Sequence, residues 1–158
     1  MHIFFLRHGD ASSDSRYDDG ERPLTDLGIR QATLVGSLLQ RMNVVIDAAL
    51  SSPLKRAHDT ASIVLSYINN QQITVSELLM NGTDPRRLFD QLNKLKVPSV
   101  FLIGHEPYLS ETISLFIGGN RKVEIEMKKC SLALVEISIP IHPGSGILKF
   151  LIPVETIS

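Results

Sequence analysis

The chain has 158 residues, of which 43% are apolar and 21% are charged, a composition typical of a globular protein with its own core. Its 16 basic and 17 acidic residues give a net charge of −1, so we expect no broad surface for nucleic acid or membranes. The single cysteine, Cys130, excludes an internal disulfide and a metal site built from paired cysteines. The N-terminal apolar run ends at Arg7, too early for a signal-peptide core. We therefore expect one cytoplasmic domain over residues 1–158, with a monomer as its simplest state.

Apolar runs along the chain predict six strands. They lie at 3–6, 46–51, 73–76, 99–104, 132–139 and 147–152. The first and fourth runs are apolar almost throughout, which is typical of strands covered on both faces. The last two are separated by a turn at 140–146 that contains proline and glycine, so they are predicted to pair as a hairpin at one edge.

Between these strands, apolar residues recur at helical spacing in four segments. They lie at 32–42, 54–68, 88–95 and 109–116. Pro53, Pro85 and Pro107 stand near the predicted first positions of three helices, with Ser52 and Asp84 as candidate caps. Strands that alternate with helices predict an α/β fold, a three-layer sandwich with a mostly parallel sheet covered by helices on both faces.

Four side chains suited to an anion follow the ends of three predicted strands. Arg7 and His8 follow the first strand, Arg56 lies in the first turn of the helix after the second, and His105 follows the fourth. The carboxyl ends of parallel strands meet at one edge of the sheet, where such folds bind ligands. Arginine bonds two oxygens at once, and Gly9 allows close approach of the backbone. The sequence therefore predicts a phosphoryl-binding site at this edge.

These residues can also support catalysis. An imidazole with a free ring nitrogen, here His8, can attack phosphorus and form a phosphohistidine. Arg7, Arg56 and a protonated His105 would then stabilise charge on the phosphoryl oxygens. Because fixed cations do this, we expect neither a metal nor a cofactor.

Each of these residues also has a structural interpretation. His8 could be a core histidine with satisfied hydrogen bonds, and His105 could bond to backbone at a helix start. Arg56 could pair with Asp59 on an exposed helix face. The acidic residues at 18–21 are typical of a polar loop. The coincidence of four such side chains at three strand ends favours the functional interpretation.

The sequence resembles the histidine phosphatase superfamily in four blocks that occur in order. These are Leu6-Arg7-His8-Gly9; Arg22-Pro23-Leu24-Thr25 with Gly28, Gln31 and Ala32; Ser51-Ser52-Pro53 with Arg56-Ala57 and Thr60-Ala61; and Gly104-His105-Glu106-Pro107. The resemblance implies that His8 is the phosphorylated nucleophile and that Arg7, Arg56 and His105 complete the phosphate pocket. Within the superfamily the chain is most similar to the SixA-type phosphohistidine phosphatases, which places Arg22 at the pocket rim. Gly9 is expected to line the pocket.

The stretch between Thr60 and Ser99 is too short for the large helical cap of other superfamily members, so the resemblance implies an open site. Such a site suits a phosphorylated histidine on a phosphotransfer protein of a two-component relay. Two alternatives stay open: a broad phosphomonoesterase acting on small molecules, and a phosphate- or phosphoprotein-binding module without turnover.

The cap commonly supplies the general acid in this superfamily, so its absence leaves that role unassigned here. The remaining candidates are Asp18, Asp19, Glu77 and Glu106, or no residue at all. A phosphohistidine has a good leaving group, so protonation of that leaving group lowers the reaction barrier less than it would for an alkoxide.

Overall fold

A computed structural model describes residues 1–69 and 72–158. The strands are β1 His2–Arg7, β2 Ala48–Ser51, β3 Ile73–Val75, β4 Ser99–Gly104, β5 Leu132–Ile137 and β6 Gly146–Ile152. The helices are α1 Asp26–Arg41, α2 Lys55–Ser66, α3 Pro85–Leu95 and α4 Tyr108–Gly118. Short 3₁₀ turns lie at Asp19–Glu21, Glu77–Leu79 and Val154–Thr156.

The strands form one sheet in the order β3-β2-β4-β1-β5-β6. Strands β3, β2, β4 and β1 are parallel to one another, whereas β5 pairs antiparallel with β1 and β6 antiparallel with β5. The predicted mostly parallel sheet and its C-terminal hairpin are therefore confirmed. Because β5 is antiparallel, its first residue lies at the same edge as the last residue of β1.

Successive residues of β1 point into two apolar layers, as the twofold repeat of a strand requires. Ile3 and Phe5 face one layer with residues of α3 and α4, while Phe4 and Leu6 face the other with residues of α1 and α2. The first layer includes Leu88, Leu92, Leu109, Ile113 and Phe116, and the second includes Ala32, Val35, Leu39, Ala61 and Val64. This arrangement is the predicted three-layer α/β sandwich.

The predicted helix starts are correct for α3 but not for α2. Pro85 opens α3, and the Asp84 side chain accepts a hydrogen bond from the Arg86 amide. Helix α2 begins at Lys55, so the prediction of Ser52 as its cap is wrong. The hydroxyl of Ser52 is buried and pairs with His105. Ser52 therefore serves the site through its bond to His105 and does not cap α2.

The segment between α2 and β4 contains β3, one 3₁₀ turn and α3 among its described residues. Leu88, Phe89 and Leu92 of α3 are buried in the layer against the sheet. Helix α3 is thus part of the sandwich, and no large helical cap stands over the sheet edge in the described parts of this segment. None of the helices described has the length and apolar character needed to cross a membrane.

Candidate active site

The pairing of β1 with β4 brings His8 and His105 together. The register aligns Arg7 with Gly104, and the His8 amide donates to the Gly104 carbonyl oxygen at 3.1 Å. His8 and His105 follow directly, and their ring centroids are 5.0 Å apart. Both are buried, with 8% and 3% of their surface exposed. The structure therefore places the two predicted histidines in one site.

The ring of His8 is held with one nitrogen free for attack. Its Nδ1 lies 2.7 Å from the Gly9 carbonyl oxygen, which can only accept, so Nδ1 carries the proton and Nε2 the lone pair. Burial lowers the pKa of His8 to about 4; the Gly9 bond opposes this shift, whereas the charges of Arg56 and Arg7 add to it. His8 is therefore neutral at neutral pH, the state a nucleophile needs.

His105 has one engaged nitrogen and one without a partner. Its Nε2 lies 2.7 Å from the Ser52 hydroxyl, while Nδ1 is buried and makes no hydrogen bond within the described residues. Burial, then the nearby charges of His8 and Arg56, lowers the pKa of His105 to about 3. His105 is therefore neutral at neutral pH in the free protein, and its protonation in the transition state stays a prediction. A bound phosphoryl dianion would favour the protonated form.

The two predicted arginines are anchored through part of their guanidinium groups. Arg7 donates from Nη1 to the Met127 carbonyl oxygen at 2.9 Å, and its buried Nε has no partner in the part of the chain described. Arg56 is 8% exposed and donates from Nη1 to the Asp19 carbonyl oxygen at 2.6 Å. Each arginine keeps further N–H groups that could bind an anion.

The interpretation of Arg56 as a surface residue paired with Asp59 is wrong. Lys55 makes that contact instead, with its Nζ 2.9 Å from the Asp59 carboxylate. Arg56 points instead toward the 3₁₀ turn at Asp19–Glu21.

Arg22 and Gly9 lie beside these groups. Arg22 donates from Nε to the Ser12 carbonyl oxygen at 2.6 Å and from Nη1 to Asp19 at 3.1 Å. Gly9 donates its amide to Thr60 Oγ1 at 3.1 Å, so this N–H is not left open for a ligand. Arg22 is thus joined to Arg56 through Asp19, whereas Gly9 serves close packing.

Lys129 is a site neighbour that sequence reasoning missed. It stands just before β5, and its Nζ pairs with the Asp10 carboxylate, which also accepts from Thr25 Oγ1 at 2.7 Å. The charge of Lys129 contributes to the low pKa of His8, after burial and the two arginines. Only knowledge that β5 runs antiparallel to β1 could have placed Lys129 here.

No candidate general acid stands out. Glu106 is the most buried of the four, and burial raises the pKa of its carboxyl group. That carboxylate, however, accepts from the Ser110 amide at 3.1 Å and from its hydroxyl at 2.5 Å. Glu106 thus caps the first turn of α4. Asp18 and Glu77 are exposed, and Asp19 is bound by arginines.

The described residues contain no group of three or more His, Cys, Asp or Glu side chains arranged to hold a metal ion. Positive charge at this edge comes instead from arginine and lysine side chains. The site can therefore bind a tetrahedral anion and offer it one neutral imidazole nitrogen.

Comparison with known proteins shows the family to which the chain belongs. Residues 3–81 match the model of the histidine phosphatase superfamily (branch 1), so the chain belongs to that superfamily. Phosphohistidine phosphatase SixA of Escherichia coli is 38% identical over 69 residues, which cover 44% of this chain and 42% of that protein. An uncharacterized protein of Picosynechococcus is 28% identical over 84% of this chain and 82% of its own length.

The solved structure of the protein histidine phosphatase SixA in complex with tungstate superimposes with a TM-score of 0.90. It is 26% identical, and the match covers 100% of both chains. The chain is therefore a histidine phosphatase with a fold like that of SixA. Together, superfamily and fold support a metal-independent phosphatase.

Proposed function

We propose that the protein removes phosphate from a phosphorylated histidine on the phosphotransfer domain of a two-component relay. The observation that carries the proposal is His8, held neutral with Nε2 free beside two arginines and beside His105, whose Nδ1 has no partner among the described residues. The relative named phosphohistidine phosphatase SixA supports the choice of substrate.

In the first step, Nε2 of His8 attacks phosphorus as the bond from phosphorus to the substrate imidazole breaks. The leaving imidazole keeps the bonding electron pair and takes a proton from solvent water, and the phosphoryl group is now carried by Nε2 of His8. Arg7 and Arg56 stabilise charge on its oxygens, because these fixed donors need no reorganisation. His105 Nδ1 takes up a proton with the dianion and donates it as a hydrogen bond.

In the second step, water attacks phosphorus, inorganic phosphate leaves, and Nε2 of His8 regains its lone pair. Neither step demands a strong general acid, because imidazole leaves more readily than an alkoxide. This is consistent with the absence of a convincing acid among Asp18, Asp19, Glu77 and Glu106.

A protein substrate is supported by what surrounds the sheet edge. Helix α3, which occupies the place of a cap in the sequence, packs its apolar residues into the sandwich. A histidine on another protein can approach the site from this side, since the described residues between α2 and β4 do not cover it. A small phosphoester would have fewer groups to hold it.

The proposal is tested by trapping and by comparison of substrates. Brief incubation with a ³²P-labelled phosphotransfer domain should leave an acid-labile, alkali-stable label on the wild type and none on His8→Ala. Phosphotransfer domains should turn over with a higher kcat/KM than sugar phosphates or p-nitrophenyl phosphate. Label on a serine or aspartate would contradict the mechanism. Preference for small esters would indicate a broad phosphomonoesterase, and binding without turnover a phosphoprotein-binding module.

A further inference from the structure

One carboxylate bridges the two arginines that approach the site from different elements. Asp19 Oδ2 accepts from Arg56 Nη2 at 3.2 Å, and Oδ1 accepts from Arg22 Nη1 at 3.1 Å. The Asp19 carbonyl oxygen accepts a third bond, from Arg56 Nη1 at 2.6 Å. Asp19 opens the 3₁₀ turn, so this turn fixes guanidinium groups from α2 and from the segment before α1.

The charge state of Asp19 shows whether its carboxyl group can act as a general acid or as an anion that holds the two arginines. Burial alone would raise the pKa of Asp19, but hydrogen bonds from Arg22 and Arg56 outweigh it and hold the pKa below its ordinary value. The group is therefore ionised at neutral pH. A general acid has to carry a proton, so this residue is poorly suited to that role.

The bonds to Asp19 leave a defined set of donors on each arginine. A guanidinium has five N–H groups in one plane. Asp19 takes two from Arg56, while Arg22 gives one to Asp19 and one to the Ser12 carbonyl oxygen. Fixing one edge of a planar group fixes the direction of the other. The remaining donors are therefore oriented before a ligand arrives, and such preorganisation strengthens anion binding.

We propose that Asp19 is a positioning residue that couples Arg22 to Arg56, so that both arginines act on the phosphoryl group as one unit. The inference rests on the proposed function, because it requires that these arginines bind the phosphoryl group. It goes further by linking a residue at the rim to one in the pocket through a single carboxylate that touches neither the nucleophile nor the reacting atoms.

The first test measures anion binding by the full chain without any turnover. Tungstate is titrated calorimetrically into the wild type, Asp19→Asn and Glu21→Gln, which removes an exposed carboxylate from the same turn. Asp19→Asn should weaken tungstate binding about 10-fold, which is the lower end of the loss typical when the partner that orients a metal-binding side chain is removed. Glu21→Gln should bind as the wild type does. Thermal unfolding of each variant checks that the fold is retained.

The second test asks whether the two arginines are coupled. Arg22→Ala, Arg56→Ala and the double variant are assayed for phosphoramidate hydrolysis, in the wild type and in Asp19→Asn. If Asp19 couples them, the two effects on kcat/KM should be non-additive in the wild type and additive in Asp19→Asn. A purely structural role for Asp19 would lower the unfolding temperature but leave the non-additivity unchanged.

The outcomes are distinguishable. Tighter tungstate binding by Asp19→Asn would make Asp19 a competing anion and overturn the inference. Unchanged binding, or additive effects in both backgrounds, would overturn it as well. If one of these results is obtained and the wild type still binds tungstate, only the coupling by Asp19 is contradicted and the proposed phosphate pocket is not. If the wild type binds no tungstate, the proposed phosphate pocket is contradicted, and both proposals are contradicted with it.

Discussion

Arg56 illustrates how the partner of a residue decides what that residue can do. It shares the first turn of α2 with Lys55, and both are basic. Lys55 is exposed and pairs within its own helix, whereas Arg56 is buried against another segment of chain. Exposed ion pairs contribute little to stability, while a buried guanidinium beside an anion site is well placed to bind ligand.

These two neighbours allow a matched prediction. Arg56→Ala should lower kcat/KM for a phosphoramidate by on the order of 10²–10³-fold, the usual effect of losing one donor to a transition-state oxyanion. Lys55→Ala should stay close to the wild type. Arg56→Lys should recover only part of the loss, because a point charge cannot make two parallel bonds. Steady-state kinetics measure all three, and equal activity of Arg56→Ala and Lys55→Ala would contradict the assignment.

At this scale, the sequence could predict which side chains gather but not their electrostatic state. Arg7, His8, Arg56 and His105 could be predicted to meet because each follows a strand of one parallel sheet. The low pKa of His105 depends on burial and on neighbouring charges, which a sequence does not show. Asp19, far from Arg56 along the chain, could be proposed as an acid but not as its partner.

At the scale of elements, the loop after β1 depends on close packing against the start of α1. A Cβ on Gly9 would lie 2.8 Å from the Gly28 carbonyl oxygen, and a Cβ on Gly28 would lie 2.0 Å from the Asp10 carbonyl oxygen. The Thr25 amide donates to that same Asp10 oxygen at 3.0 Å. Helix α1 therefore fixes the backbone that carries His8.

Gly28→Ala should accordingly separate α1 from this loop. Forcing a methyl group into a closely packed contact typically costs about 1–3 kcal/mol of unfolding free energy, and more where backbone has to move. Urea unfolding measures the loss, and activity should fall too because the His8 loop shifts. Gln40→Ala, an exposed change on the same helix, is the control. A Gly28→Ala protein with wild-type stability and activity would show that the contact is not needed.

Element boundaries could be predicted where the capping side chain stays available to the helix. Asp84 and Pro85 open α3 as expected, because the Asp84 carboxylate accepts from the Arg86 amide as well as from the Arg121 side chain. Ser52 carries a similar signal, but its hydroxyl is used by His105, and α2 begins at Lys55. The hairpin could be predicted from two apolar runs. The position of Lys129 at the site could be predicted only if the strand order was also known.

On the scale of the whole molecule, a chain with a net charge of −1 concentrates cations at one edge of its sheet. Arg7, Arg56 and Lys129 reach that edge from the ends or starts of three different elements. The two buried histidines lie among them and stay neutral. The folded state therefore resists protonation at this site, whereas the unfolded chain does not.

This difference predicts how stability depends on pH. Unfolded histidines bind protons with a pKa near 6.5, but burial lowers the pKa of folded His8 to about 4 and that of His105 to about 3. Between pH 6.5 and 4 the unfolded state therefore binds more protons, and the unfolding free energy should fall as pH decreases. For His8 alone the loss is on the order of 3 kcal/mol. Urea unfolding of His8→Asn should give a flatter dependence than the wild type, while the exposed change His142→Asn should keep the wild-type slope. Equal slopes in all three proteins would mean that His8 takes up its proton as readily folded as unfolded, which would leave it charged and unable to attack phosphorus below pH 6.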